Sequence, residues 1–199
     1  MVKWFALATA LCAGCLATPS RPAPRELLGF DDFDYTLGCI DPHPQGTAEA
    51  SSFVAQRTGS VTSLAIDYGG GGASTLMLAL YSDADHQHPH ALLDYGTYAP
   101  GSVIAQGRIA VELASRPSLA AGTPYWIAAL CPESDTGGCG FRYLYSPTGS
   151  PNCSGGQTTC DTSTGFCTEH SIEGQSVPPA QWVPDQVFPD AVNAFFAFD

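Results

Sequence analysis

Three histidines at alternating positions stand out as candidate chemistry. The segment Asp83 to His90 reads DADHQHPH, and in an extended chain His86, His88 and His90 would point the same way. Three imidazoles beside Asp83 or Asp85 would suit zinc or copper. The same eight residues also read as a turn between two strands, because Pro89 interrupts them and polar side chains are at home in turns. Carboxylates offer a second ligand set: Asp31, Asp32 and Asp34, or Asp83 with Asp85, could hold a structural calcium through oxygen. No twelve-residue calcium loop is present, and no cofactor other than calcium is expected.

Aromatic side chains can stack on sugar rings when they lie exposed in a row. Trp126 sits in an all-apolar stretch and reads as core. Tyr143 and Tyr145 share a face with Phe141 and read the same way. The candidates for a sugar platform are therefore Trp182, flanked by Gln181 and prolines and expected to be exposed, and Tyr98. For catalysis the sequence contains no GxSxG, HExxH or GxxxxGK[ST] motif. Cys153 Ser154 Gly155 Gly156 echoes a serine-protease turn, but a cysteine stands where that turn carries aspartate. Carboxylate pairs for glycoside hydrolysis cannot be picked out without geometry. The expectation is a protein that is not an enzyme, with metal binding and hydrolysis as lesser alternatives.

The start of the chain sets the compartment. Met1 to Lys3 is short and positive, Trp4 to Ala13 is apolar, and small residues follow, which is the pattern of a secretory leader over residues 1–17. Cleavage after Ala17 would free the protein. Alternatively Leu11 Cys12 Ala13 Gly14 Cys15 reads as a lipoprotein box, with Cys15 carrying the lipid and residues 18–29 as a tether to one domain over 30–199. Six further cysteines, Cys39, Cys131, Cys139, Cys153, Cys160 and Cys167, suit three disulfides in an exported chain. No CxxC pair argues for zinc instead. Of the fifteen pairings, Cys131 with Cys139 and Cys153 with Cys160 would be local clasps, leaving Cys39 with Cys167.

These residues must be positioned by strands. With 21 glycines and 16 prolines in 199 residues, long helices are excluded. From about residue 48 the chain alternates short β-prone runs with turn residues. Leu64, Ile66 and Tyr68 share a face before a turn at GGGG 69–72. Leu76, Leu78 and Leu80 back onto Met77, Ala79 and Tyr81 in a strand apolar on both faces, hence central. Further strands are expected at 52–55, 92–98, 108–113, 125–130, 141–145 and 193–198. About eight antiparallel strands suit an all-β, two-sheet, jelly-roll-like sandwich with disulfide-stapled loops. Residues 146–192 show no strand period and are expected to be a cross-linked surface excursion with a Pro-rich return.

Gly59 to Leu64 (GSVTSL), Leu78 to Asp83 (LALYSD), Leu92 Leu93 and Leu119 to Ala128 (LAAGTPYWIA) together resemble a bacterial secreted jelly-roll-like β-sandwich module. That module is similar in shape to carbohydrate-binding modules, and most of its members have no assigned ligand. The match spans about residues 48–145 plus a last strand at 193–198. It departs from the module at the histidine cluster, where a Gly-rich tip is usual, and in its long late excursion. The resemblance implies the sandwich fold and export and leaves the binding site open; the strand pattern, the leader and the missing catalytic motifs point to a recognition domain with an envelope protein or a glycan as partner.

Charge narrows the partners. Seven basic residues against nineteen acidic ones leave a net charge of −12. Nucleic acid is excluded as a partner because phosphate binding needs clustered cations. Membrane contact is expected only through a lipid on Cys15. The chain is thus expected at the cell envelope or outside the cell, as a recognition or attachment domain or as a structural envelope lipoprotein.

Overall fold

The computed structural model describes residues 25–29, 39–84, 88–145, 168–183, 186–189, 191–193 and 195–199. The leader and Cys15, Asp31, Asp32, Asp34, Asp85, His86, Cys153, Cys160 and Cys167 lie outside them. The described residues are all-β, with fifteen strands and no helix.

One sheet contains β1 (Glu26–Gly29), β2 (Cys39–His43), β5 (Ser63–Gly71), β8 (Gly107–Glu112), β11 (Cys139–Tyr145), β14 (Ala191–Asn193) and β15 (Phe195–Phe198). Its long member is β5, which pairs with β8, β15 and β11, all antiparallel. The other sheet runs β13 (Gln186–Pro189), β12 (Thr168–Ile172), β3 (Ala48–Val54), β10 (Pro124–Leu130), β6 (Leu76–Asp83), β7 (Pro89–Tyr98). A two-stranded ribbon joins β4 (Gly59–Ser60) to β9 (Ser118–Leu119).

Period-two alternation brings the sheets face to face. Leu64, Ile66 and Tyr68 of β5 and Phe195 of β15 pack in one cluster with Leu76, Leu78 and Leu80 of β6 and Ile127 of β10. The opposite faces of β6 and β10 are buried as well. Tyr81, Ala79, Trp126, Ala128 and Leu130 join Ala48, Ala50, Ile172 and Trp182 in a second apolar cluster. The Leu76–Asp83 strand, expected to be central, is covered on both faces but lies between β10 and β7, second from the edge of its sheet.

Three boundaries differ from the sequence reading. Residues 26–29, read as tether, form β1 and pair with β15, because Leu27 and Leu28 are fully buried and too apolar for a solvated linker. The glycines at 69–71, read as a turn, extend β5 against Cys139 and Gly140. A Cβ on Gly71 (φ +145°) would sit 2.3 Å from the Gly138 carbonyl oxygen, so the two backbones can approach only without side chains. The excursion read at 146–192 contributes β12, β13 and β14 from residue 168 onward. These three- to five-residue strands are too short and too mixed in polarity for period-two alternation to register.

Candidate functional site

Of the three clustered histidines, His88 and His90 are among the described residues. His90 is exposed on β7, His88 is half-buried in the turn before it, and the His88 carbonyl accepts from the Ala84 N–H at 3.1 Å. Among the described residues no group of three His, Cys, Asp or Glu side chains converges to hold a metal. Asp83 is engaged otherwise: the Trp126 Nε1–H donates to its Oδ1 at 2.8 Å, which allows a fully buried indole to satisfy its one donor.

The expected sugar platform is not assembled. Trp182 is only 6% exposed, with its ring edge-on to Tyr81 at 5.3 Å. Tyr81 and the backbone bonds to Leu92 and His90 hold the segment on the outer face of the second sheet. Tyr98 is half-buried against the inter-sheet core. Trp182 is bonded through its backbone to His90, and Tyr98 ends the same strand eight residues later, roughly 25 Å away. The two rings therefore lie at opposite ends of β7 and belong to different clusters, so they cannot stack on one ring system.

A polar seam runs along β3. Along β3, Glu49 and Ser51 point inward with Phe53, and Ser171 of β12 stands opposite Glu49. Glu49 is 1% exposed, and its Oε1 lies 2.7 Å from His43 Nε2. The His43 ring stacks on Phe141 at 5.6 Å. Because His43 ends β2 and Glu49 lies in β3, the pair crosses between the sheets. An imidazole held by a carboxylate through one nitrogen can serve as a base through the other; here it is Nε2 that faces Glu49, and this contact joins the two sheets. The pair thus acts as a polar tie within the sandwich. Its signal was present in Thr47–Phe53, where polar residues alternate on the face that ends in Phe53.

A rigid loop end is built around the one disulfide among the described residues. Cys131 and Cys139 are joined with Cα atoms 6.0 Å apart, as the local clasp expected. The clasped loop gathers three others. Its Cys131 carbonyl accepts from Gly46 N–H, its Glu133 N–H donates to Gln175 O, and its Gly138 carbonyl accepts from Gly72 and Ala73 N–H. Asp135 accepts from the N–H groups of Ser74 and Thr75 at 2.9 and 2.7 Å. Partial burial pushes the Asp135 carboxyl up, but the N–H groups of Ser74, Thr75 and Thr136 outweigh that and hold it below the usual carboxylate range. Tyr68, beneath this end, is shifted upward by burial and by Asp135. Ile104 N–H donates to Ala73 O, bringing a fourth loop with the exposed Val103 to the same end.

The opposite end carries the chain's way in. Arg25 N–H donates to Asp199 Oδ1 at 2.8 Å, Asp199 N–H donates to Arg25 O, and the side chains pair at 2.9 Å. Ser63, where β5 meets Phe198, and Gly71, where β5 meets Cys139, are the two ends of one strand. The clasped loops and the Arg25–Asp199 pair are thus separated by about 26 Å of extended chain.

No family model matches the chain. No curated protein matches its sequence either. What the chain can do is therefore argued from its own residues: an acidic, five-loop surface held in one shape, at the end farthest from Arg25.

Proposed function

We propose that the chain is exported and works without catalysis as a recognition or attachment domain at the cell envelope, with a glycan or an envelope protein as its partner. The observation that carries this reading is the polarity of the sandwich. The chain enters at Arg25, next to Asp199, and the disulfide-clasped loops occupy the far end. If the segment before Arg25 is held at a membrane through Cys15, those loops face outward. Mutual hydrogen bonding fixes their shape in advance, which lowers the ordering cost of binding. The Cys131–Cys139 bond suits an oxidising compartment. The likeness of Leu119–Ala128 and its companion segments to secreted sandwich modules points the same way.

A second reading, a structural envelope lipoprotein that contacts only proteins, is favoured by a different surface. Val177, Val183 and Val187 are all more than half exposed on one late stretch of chain.

The test uses protein spanning residues 18–199 on a glycan array and on intact envelope fragments. Glu133→Arg and Val103→Asp at the clasped end should lower binding at least roughly tenfold, while Arg116→Glu at the other end leaves it unchanged. Binding that responds only to changes at Val177, Val183 or Val187 would favour the second reading. Binding to neither array nor fragments contradicts both.

A further inference from the structure

The second apolar cluster differs from the inter-sheet core in how it is covered. The outer faces of β6 and β10 are closed over by residues 176–183, with Trp182 as the plug. The fastenings of this segment are few. Tyr81 Oη donates to Pro179 O at 3.1 Å, Leu92 N–H to Ala180 O at 3.1 Å, and Trp182 N–H to His90 O at 3.0 Å. Pro178 and Pro179 have no N–H to add. Val177 and Val183, at either end, are exposed.

The closed state also desolvates polar atoms without replacing their water. Trp182 Nε1 and Ser52 Oγ are both buried on this face, with no hydrogen-bond partner among the described residues. A buried donor or acceptor without a partner favours any conformation in which it regains water. Lifting the segment would restore that water to Trp182 Nε1, while the inter-sheet core stays shut. The forces lost would be the burial of Trp182 and of the apolar face beneath it, the edge-on contact with Tyr81 and three hydrogen bonds.

We propose that residues 176–183 form a releasable strap that opens as a unit, ahead of global unfolding, and uncovers the outer face of β6 and β10. Opening of this kind belongs to the less stable end of a protein's local equilibria.

Residue-resolved hydrogen exchange on the whole chain tests it. The amides of Leu92 and Trp182 should exchange at a common rate, at least roughly tenfold faster than the slowest amides of the β6–β10 ladder. Tyr81→Phe, which deletes one fastening and keeps the ring, should speed both strap amides several-fold and leave the ladder unchanged. Exchange of Leu92 and Trp182 only together with the ladder overturns the proposal. So do unequal rates at the two amides, and so does a Tyr81→Phe effect that is absent or shared equally by the ladder.

Discussion

Arg108 shows how this chain, poor in charge, uses the few cations it has. Its guanidinium makes two 3.0 Å hydrogen bonds to the buried Asp67 and lies 4.1 Å from the centroid of the Phe196 ring. Bonding to Asp67 holds its pKa above the usual value. Arg108→Ala would leave the buried Asp67 carboxylate without its guanidinium partner. Since Arg108 is itself half exposed, water recovers part of the loss, and a destabilisation of about 1–2 kcal/mol is expected from urea unfolding. Asp94 and Asp135 contribute to acid sensitivity. Partial burial raises both, and hydrogen bonds outweigh it: from Ser115 and Tyr95 to Asp94, and from Ser74, Thr75 and Thr136 to Asp135. Both therefore sit below their unfolded value. The stability they contribute is complete above the unfolded carboxylate pKa of about 4 and is lost as pH falls through the folded value. Urea midpoints measured from pH 6 downward should fall below about pH 4, and less steeply in Asp135→Asn.

At the scale of elements, the glycine-on-glycine crossing between β5 and the clasped loop is the most constrained contact. A Cβ at Gly137 would lie 2.2 Å from the Gly72 carbonyl carbon, a backbone atom that cannot move aside alone. Gly137→Ala should cost about 2 kcal/mol or more and weaken the loop end before the rest, as thermal unfolding and exchange at Gly72 and Ala73 would report. Opening the clasp with Cys131→Ala/Cys139→Ala should cost about 2–3 kcal/mol by chain-entropy reasoning for so short a loop. The strands of the core were legible because Leu64, Ile66, Tyr68 and Leu76, Leu78, Leu80 repeat with the pleat. The glycine run was not: GGGG is the usual signature of a turn, and only the opposing Gly137 and Gly138 turn it into a paired strand end. β1 was hidden by the prolines just before it, and β12 to β14 by their brevity.

Across the whole molecule, the two sheets are tied by the inter-sheet core, by the His43–Glu49 pair and by the Cys131–Cys139 clasp. The class of fold and this clasp could be read from the sequence, because period-two burial and cysteine spacing are local signals. The candidate site could not. Which loops meet at one end depends on strand order, and Gly46, Ser74, Val103 and Asp135 are far apart in sequence. Trp182 misled for the same reason: its polar and proline neighbours suggest exposure, while Tyr81, about a hundred residues earlier, buries it. The proposed role requires export, with the clasped loops presented away from the point of attachment. Mass spectrometry of the protein recovered from its native cells, without reduction, reads out both the processed start of the chain and the state of its sulfurs. A mature chain beginning at a diacylglyceryl Cys15 or just after Ala17, with Cys131 and Cys139 in one cross-linked peptide, is the result expected. A chain still beginning at Met1, with both of those cysteines as free thiols, would contradict it.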